Sequence, residues 1–353
     1  MRTCLLPLAA LFVLACGPDN RDVPYTALQQ PTDSTPVPFT YIGNAAWLGG
    51  SRWAFLAPNE RQVVLADIAL KSTNMLGGKP GSYAEPFNIF RAGDSLYVGD
   101  LGKRSMTVWS IDGGFGRSIP ATSFVRGAFP LARDAAGNFY SQLYPPPGAD
   151  GSGNRDSTYV IRMSADFSRA DTVAHLAPLD IAEVFGDAGR RFEPRALSGR
   201  DVWGVFPDGT LWIARVNQNR IDRRTPDGKW SEGDQLPDRV LQVLPQDRER
   251  FLATFPEELR TTAGKVPFAI IKPPFEDAYA GPEQRIYLIK SYSLADSSRI
   301  VQVVSPDGKL LQQLEYRGFG RMVGTDGTVG IVADAREKGH NLLVYRLPQY
   351  VAK

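Results

Sequence analysis

The sequence predicts an all-β fold: a six-bladed β-propeller of four-stranded antiparallel blades, with short helical excursions between blades. Three observations lead there. A tight turn built from Gly and Asp recurs along the chain, as Leu48-Gly49-Gly50, Ala92-Gly93-Asp94, Ala135-Ala136-Gly137, Pro207-Asp208-Gly209, Gly281-Pro282-Glu283 and Thr325-Asp326-Gly327. Each turn opens onto a β-rich run such as Ser95-Leu96-Tyr97-Val98 or Arg285-Ile286-Tyr287-Leu288, and a third apolar strand follows. The last copy lacks a fourth strand, while a spare one, Phe39-Thr40-Tyr41-Ile42, stands ahead of the first copy. Joining the two closes the ring and removes the exposed edge. A pair of β-sandwiches and a seven-bladed ring are the architectural alternatives.

In chain order, Arg2 and the apolar run Leu5 to Ala15 have the charge and length of a signal-peptide core, too short for a stable membrane span. The stretch Val13-Leu14-Ala15-Cys16-Gly17 resembles the lipobox of bacterial lipoproteins. That resemblance implies removal of residues 1–15 and a lipid on Cys16, with ordinary secretion or an uncleaved anchor as alternatives. Gly17, where similar lipoproteins retained elsewhere carry Asp, implies the outer membrane. Residues 16–38 then read as a lipidated Cys and a Pro-rich solvated linker. Residues 39–353 form the propeller.

The 353 residues carry 40 Lys plus Arg against 38 Asp plus Glu, so no global field for nucleic acid is implied. Both cysteines, Cys4 and Cys16, precede the domain, which leaves it no disulfide and no thiol nucleophile. Only His175 and His340 are present, and each reads as a surface or structural residue. A three-His metal site is excluded on count.

Second turns recur at Ile111-Asp112-Gly113, Ala165-Asp166-Phe167, Pro226-Asp227-Gly228 and Pro306-Asp307-Gly308, where Asp closes the turn and needs no chemistry. The element Pro80-Gly81-Ser82-Tyr83-Ala84-Glu85-Pro86-Phe87 with Tyr97-Val98-Gly99-Asp100 resembles NHL repeats, and the turn grammar is similar to NHL-type and TolB-type propellers. Six-bladed enzymes of this kind hold one divalent ion with Glu, Asn and Asp. The resemblance therefore also admits a metal-dependent lactonase or hydrolase, for which Glu85 and Asn88 are candidates.

Loops sort by length. Turns between first and second strands, and between third and fourth, are short, whereas 145–157, 178–194, 232–274 and 293–298 are long and fall on the other face. Helices are expected over Pro245 to Phe255 and Leu179 to Phe185, covering the ring edge or the channel mouth. Asp150 to Asp156 spaces oxygen side chains as a cation loop does, but Arg155 replaces the turn Gly and Ile161 the closing Glu. A solvated loop is the expectation, so no metal or cofactor is assigned. Trp203, Trp212 and Trp230 read as blade packing, and Lys265 and Lys272 as shaping an excursion.

Arg126, Arg200 and Arg317 each precede an expected innermost strand, at Ala128, Val202 and Phe319, near the long-loop mouth. Guanidinium groups so placed suit a small anionic ligand. The functional expectation is a lipid-anchored, non-catalytic envelope module that binds a protein, a peptide or a small anion.

Overall fold

The computed structural model describes residues 25–348 apart from 79–80, 145–157, 187–188, 254, 256, 319 and 337–338. Cys16 and the Asp150 to Asp156 loop lie outside the described residues. Six antiparallel blades form a ring. Blade 1 comprises Ala45–Gly49, Arg52–Ala57, Gln62–Asp67 and Ser72–Met75; blade 2, Pro86–Ala92, Ser95–Asp100, Ser105–Ser110 and Phe115–Pro120. Blade 3 comprises Ala132–Arg133, Phe139–Leu143, Tyr159–Met163 and Ala170–His175; blade 4, Val202–Val205, Leu211–Arg215, Arg220–Arg224 and Trp230–Glu232. Blade 5 holds Phe275–Ala280, Ile286–Lys290, Ser298–Val304 and Leu310–Arg317, and blade 6 holds Arg321–Thr325, Val329–Ala335 and His340–Arg346. The first strands touch one another in order around the ring, and that of blade 6 returns to that of blade 1.

A blade is buried on both faces, so neighbouring residues of one strand pack into opposite interfaces. Leu96 and Val98 join the cluster between blades 1 and 2, and Tyr97 joins the cluster between blades 2 and 3. One apolar cluster fills each of the six interfaces. This explains why second strands read as continuous apolar runs.

Ring closure differs from the expectation. The fourth strand of blade 6 is Asp33–Val37, antiparallel to His340–Arg346, with Thr35 and Val37 buried. An outermost strand needs one apolar face and tolerates Pro36, so this segment carries the composition of a linker. Phe39 and Ile42, expected to form the closing strand, instead plug the interface of blades 6 and 1. Upstream, Tyr25–Ala27 adds a parallel fifth strand outside blade 5. The presumed tether thus contributes two strands to the domain. Gly339, at φ +89°, lets the blade 6 turn approach this strand; a Cβ there would stand 2.2 Å from the Val37 carbonyl.

The excursions differ too. Leu179 to Phe185 is not helical: Ile181–Gly186 and Gly189–Pro194 form a two-stranded hairpin, because Ala182 and Val184 are buried while Glu183 and Phe185 face out, a period of two. The expected helix at Pro245 is present as Pro245–Ala253, followed by a second, Glu257–Ala263.

Candidate functional site

Antiparallel order puts the long connections and the starts of all first strands on one face. The two longest excursions interlock there. Ala196 N donates to Pro267 O at 2.9 Å and Ala269 N donates to Ala196 O at 2.9 Å, while Gly199 packs so closely against Val216 and Pro273 that a Cβ would lie within 2.5 Å of both. Lys272 holds the first excursion helix through a 2.7 Å ion pair to Asp247, which in turn accepts Leu244 N at 2.9 Å. Both side chains are nearly buried, so Lys272 shapes the excursion as expected.

The sequence candidates are spread over this face. Arg126 adopts φ 53° in a short 3-10 turn and donates to Tyr159 Oη at 3.2 Å, over the third strand of blade 3. Arg200 is exposed in the connection leading to Val202. Arg317 ends the fourth strand of blade 5 and lines a cavity of about 550 Å³ with Ala27 to Gln30 and Tyr345. Two innermost strands begin later than expected, at Ala132, after the short 3-10 turn Val125–Gly127, and at Arg321. Arg317 therefore belongs to the perimeter, and Arg321 occupies the inner position assigned to it. Arg321 is fully engaged: it bonds the carbonyls of Ile42 and Gly43 and faces Asp277 and Tyr279. Burial, reinforced by the Asp277 carboxylate, pushes the Tyr279 phenol well above its ordinary pKa.

Glu85 is exposed, and its amide is held by Asp100. Buried Asp100 also accepts Ala84 N and Lys103 N, so the NHL-like Asp clamps two loops together. Asn88 accepts Asn44 Nδ2 at 3.0 Å between blades 1 and 2. Among the described residues, no three His, Cys, Asp or Glu side chains assemble as a metal site. His340 is tied to the Phe39 carbonyl at 2.8 Å, and His175 lies exposed beside Tyr159. Trp212 is buried in the interface of blades 4 and 5, Trp203 donates to Gln142 at 3.0 Å, and Trp230 is 41% exposed under Arg215.

A site that the sequence reading missed opens between blades 4 and 5. The last strand of blade 4 ends at Glu232, and Gly233 meets Gly308 backbone to backbone; a Cβ on Gly308 would stand 2.3 Å from Gly233 Cα. Leu236 then seals the apolar interface. Beyond it, the blade 5 face is polar: Lys290, Gln302, Gln313 and Glu315 stand where alternation puts core residues. With Asp238, Ser291, Tyr292 and Asp296 they enclose about 560 Å³, within the usual range for a small-molecule site.

Lys290 is buried, 2.9 Å from Asp238, and burial lowers its pKa although Asp238 opposes the shift. Gln302 donates to Pro237 O at 2.9 Å and to Gln313 at 3.3 Å, but its Oε1, and the Oγ of Ser291, are buried without a partner. Arg239 and Asp296 form an ion pair that joins the two loops beside the pocket. The legible signal was the polar residue at alternate positions of an otherwise apolar strand pair.

Searched by sequence, the chain matches no family model and no curated protein. Among solved structures it is similar to a member of the DUF4221 family from Bacteroides vulgatus, with TM-score 0.51 and 9% identity, covering 90% of this chain and 97% of that one. It is similar as well to a protein from Bacteroides fragilis named as exported, with TM-score 0.51 and 9% identity, over 91% and 94% of the two chains. Regucalcin from Agrobacterium tumefaciens, named as calcium-binding, aligns at TM-score 0.46 and 9% identity over 93% of this chain and 99% of its own. No helix among the described residues is long and apolar enough to cross a membrane. At these identities the likeness is one of fold, and the chain is a six-bladed β-propeller.

Proposed function

We propose that this propeller is a lipid-anchored, non-catalytic binding module of the cell envelope that takes its ligand on the long-loop face. The observation that carries this reading is the joining of the two longest excursions, through Ala196, Pro267 and Ala269, on the face that also holds the polar pocket beside Lys290. Loops fixed to each other by backbone bonds form a preorganised surface, which lowers the ordering cost of binding. The Cys16 lipid would present that surface at the membrane, and the test is capture from envelope extracts by the full chain. A specific partner lost when Arg195 to Gly199 is replaced by a flexible Gly-Ser segment, with the melt kept, supports the reading; identical capture by both chains rejects it.

A second reading concerns small anions. Arg317 lines the cavity of about 550 Å³ beside Ala27 to Gln30, and a guanidinium there suits a carboxylate or phosphate. Arg126, Arg200 and Arg317 would then serve separate places on the face, so each Arg→Gln change is tested alone against citrate and phosphate at low and high salt. Loss of a salt-sensitive thermal shift in Arg317→Gln only assigns the anion to the perimeter cavity. A shift kept in all three variants removes these arginines from the site.

A further inference from the structure

We propose that the pocket between blades 4 and 5 binds a neutral, polyhydroxylated ligand of sugar type. The inference rests on the reading of the long-loop face as a binding face and names the chemistry of one site on it. The cavity of about 560 Å³ is bounded by one face of blade 5 and by Pro237 and Asp238 of the blade 4 excursion. At the matching ladder positions of blade 4, Arg215 and Asp222 are also polar but pair with each other at 2.9 Å, whereas the blade 5 set lines an open cavity.

Charge decides against an ion. The pocket's cations are already matched, Lys290 by Asp238 at 2.9 Å and Arg239 by Asp296. An anion would have to displace a carboxylate from a buried ammonium, and a cation would meet Lys290 at the pocket wall. Glu315 is engaged by the Ser298 hydroxyl. What the pocket leaves unmet is a carbonyl acceptor, Gln302 Oε1, and a hydroxyl, Ser291 Oγ, both buried. Gln302 is 1% exposed, and a buried acceptor carries a desolvation cost until it is bonded. A hydroxyl donates and accepts at once, and adjacent hydroxyls meet an amide oxygen and a serine side by side. Tyr292 also lines the cavity, its ring already stacked on Arg299 at 3.9 Å.

The test uses the purified full chain titrated with glucose, galactose, N-acetylglucosamine and maltose, with citrate and spermidine as charged controls. Binding is read by hydrogen–deuterium exchange over residues 236–239 and 290–298. The expected result is saturable protection by at least one neutral sugar. Ser291→Ala and Gln302→Leu should each weaken it about five- to tenfold, the effect of one lost buried hydrogen bond. Ala295→Trp, at an exposed position lining the pocket, abolishes protection while keeping the melt, so the result does not depend on a core substitution folding. Absence of protection by every sugar overturns the proposal. Protection by citrate or spermidine alone overturns the ligand class and leaves the binding-face reading standing. Protection by sugar that survives Ala295→Trp overturns the site.

Discussion

Arg321 reaches across 278 positions of sequence to donate to the carbonyl of Gly43 at 2.9 Å. The same nitrogen donates to Ile42 O at 2.6 Å, and the other terminal nitrogen faces Tyr279 and Asp277. One guanidinium therefore links blade 5, blade 6 and the segment entering blade 1, at the seam where the ring closes.

Arg321→Met is expected to destabilise the domain by about 2 to 4 kcal/mol, because buried carbonyls and a carboxylate lose a charged donor. Arg223 offers the contrast. It is 5% exposed; one nitrogen bonds the carbonyls of Gln284 and Ser305, the other two lack partners, and burial lowers its pKa to about 10 against the opposing Asp307 and Asp208. A base whose folded pKa lies below its unfolded value is penalised at neutral pH, and stability rises as pH climbs toward the unfolded value. Arg223→Met should therefore leave stability within about 1 kcal/mol of wild type or raise it. Urea melts of both variants at pH 7 check the pair; equal losses would refute the distinction.

Val37→Asp should lower stability by roughly 3 kcal/mol or more, since it puts an unpaired carboxylate into the blade 6 interface. Ser34→Lys, on the outward face of the same strand, should change it by less than about 0.5 kcal/mol. Thermal melts of the two variants decide whether Asp33–Val37 is the strand that closes the ring.

The turn aspartates set the acid limit. Hydrogen bonds from Ser164 and then from Ser168 hold the Asp166 carboxyl at a pKa of about 2, against 3.8 for an ordinary carboxyl. Asp227 and Asp307 are lowered by the hydroxyls of Thr225 and Ser305. A lowered folded pKa contributes stability that is present above the unfolded value and lost as pH falls through the folded one. The urea midpoint should hold steady above pH 5 and fall between about pH 4 and pH 2. Asp166→Asn should make that fall shallower; an unchanged slope would mean the turn bonds are not coupled to folding.

Cys16→Ser should abolish incorporation of labelled fatty acid and release the protein from the membrane fraction, because the proposed lipoprotein reading makes Cys16 the acceptor. Label retained in the variant would end the lipoprotein proposal.

Much of this protein was set by local rules that a sequence displays. Turns such as Phe206 to Thr210 need a residue at positive φ, so Gly209 announces itself, and continuous apolar runs such as Ile286 to Ile289 mark strands buried on both faces. Those two signals determined the blade count and the face on which long connections gather. Other features depended on partners far along the chain. Asp33–Val37 is a strand because His340–Arg346 lacks an outer neighbour, a need that is not written in residues 33 to 37. Arg317 and Arg321 differ by one turn of the chain, yet the first lies on the rim and the second in the seam, since only the position of the Arg321–Thr325 ladder separates them. The pocket beside Lys290 exists because Gly233 and Gly308 meet where blade 4 ends early, and contact between two loops from different blades is settled by tertiary packing alone.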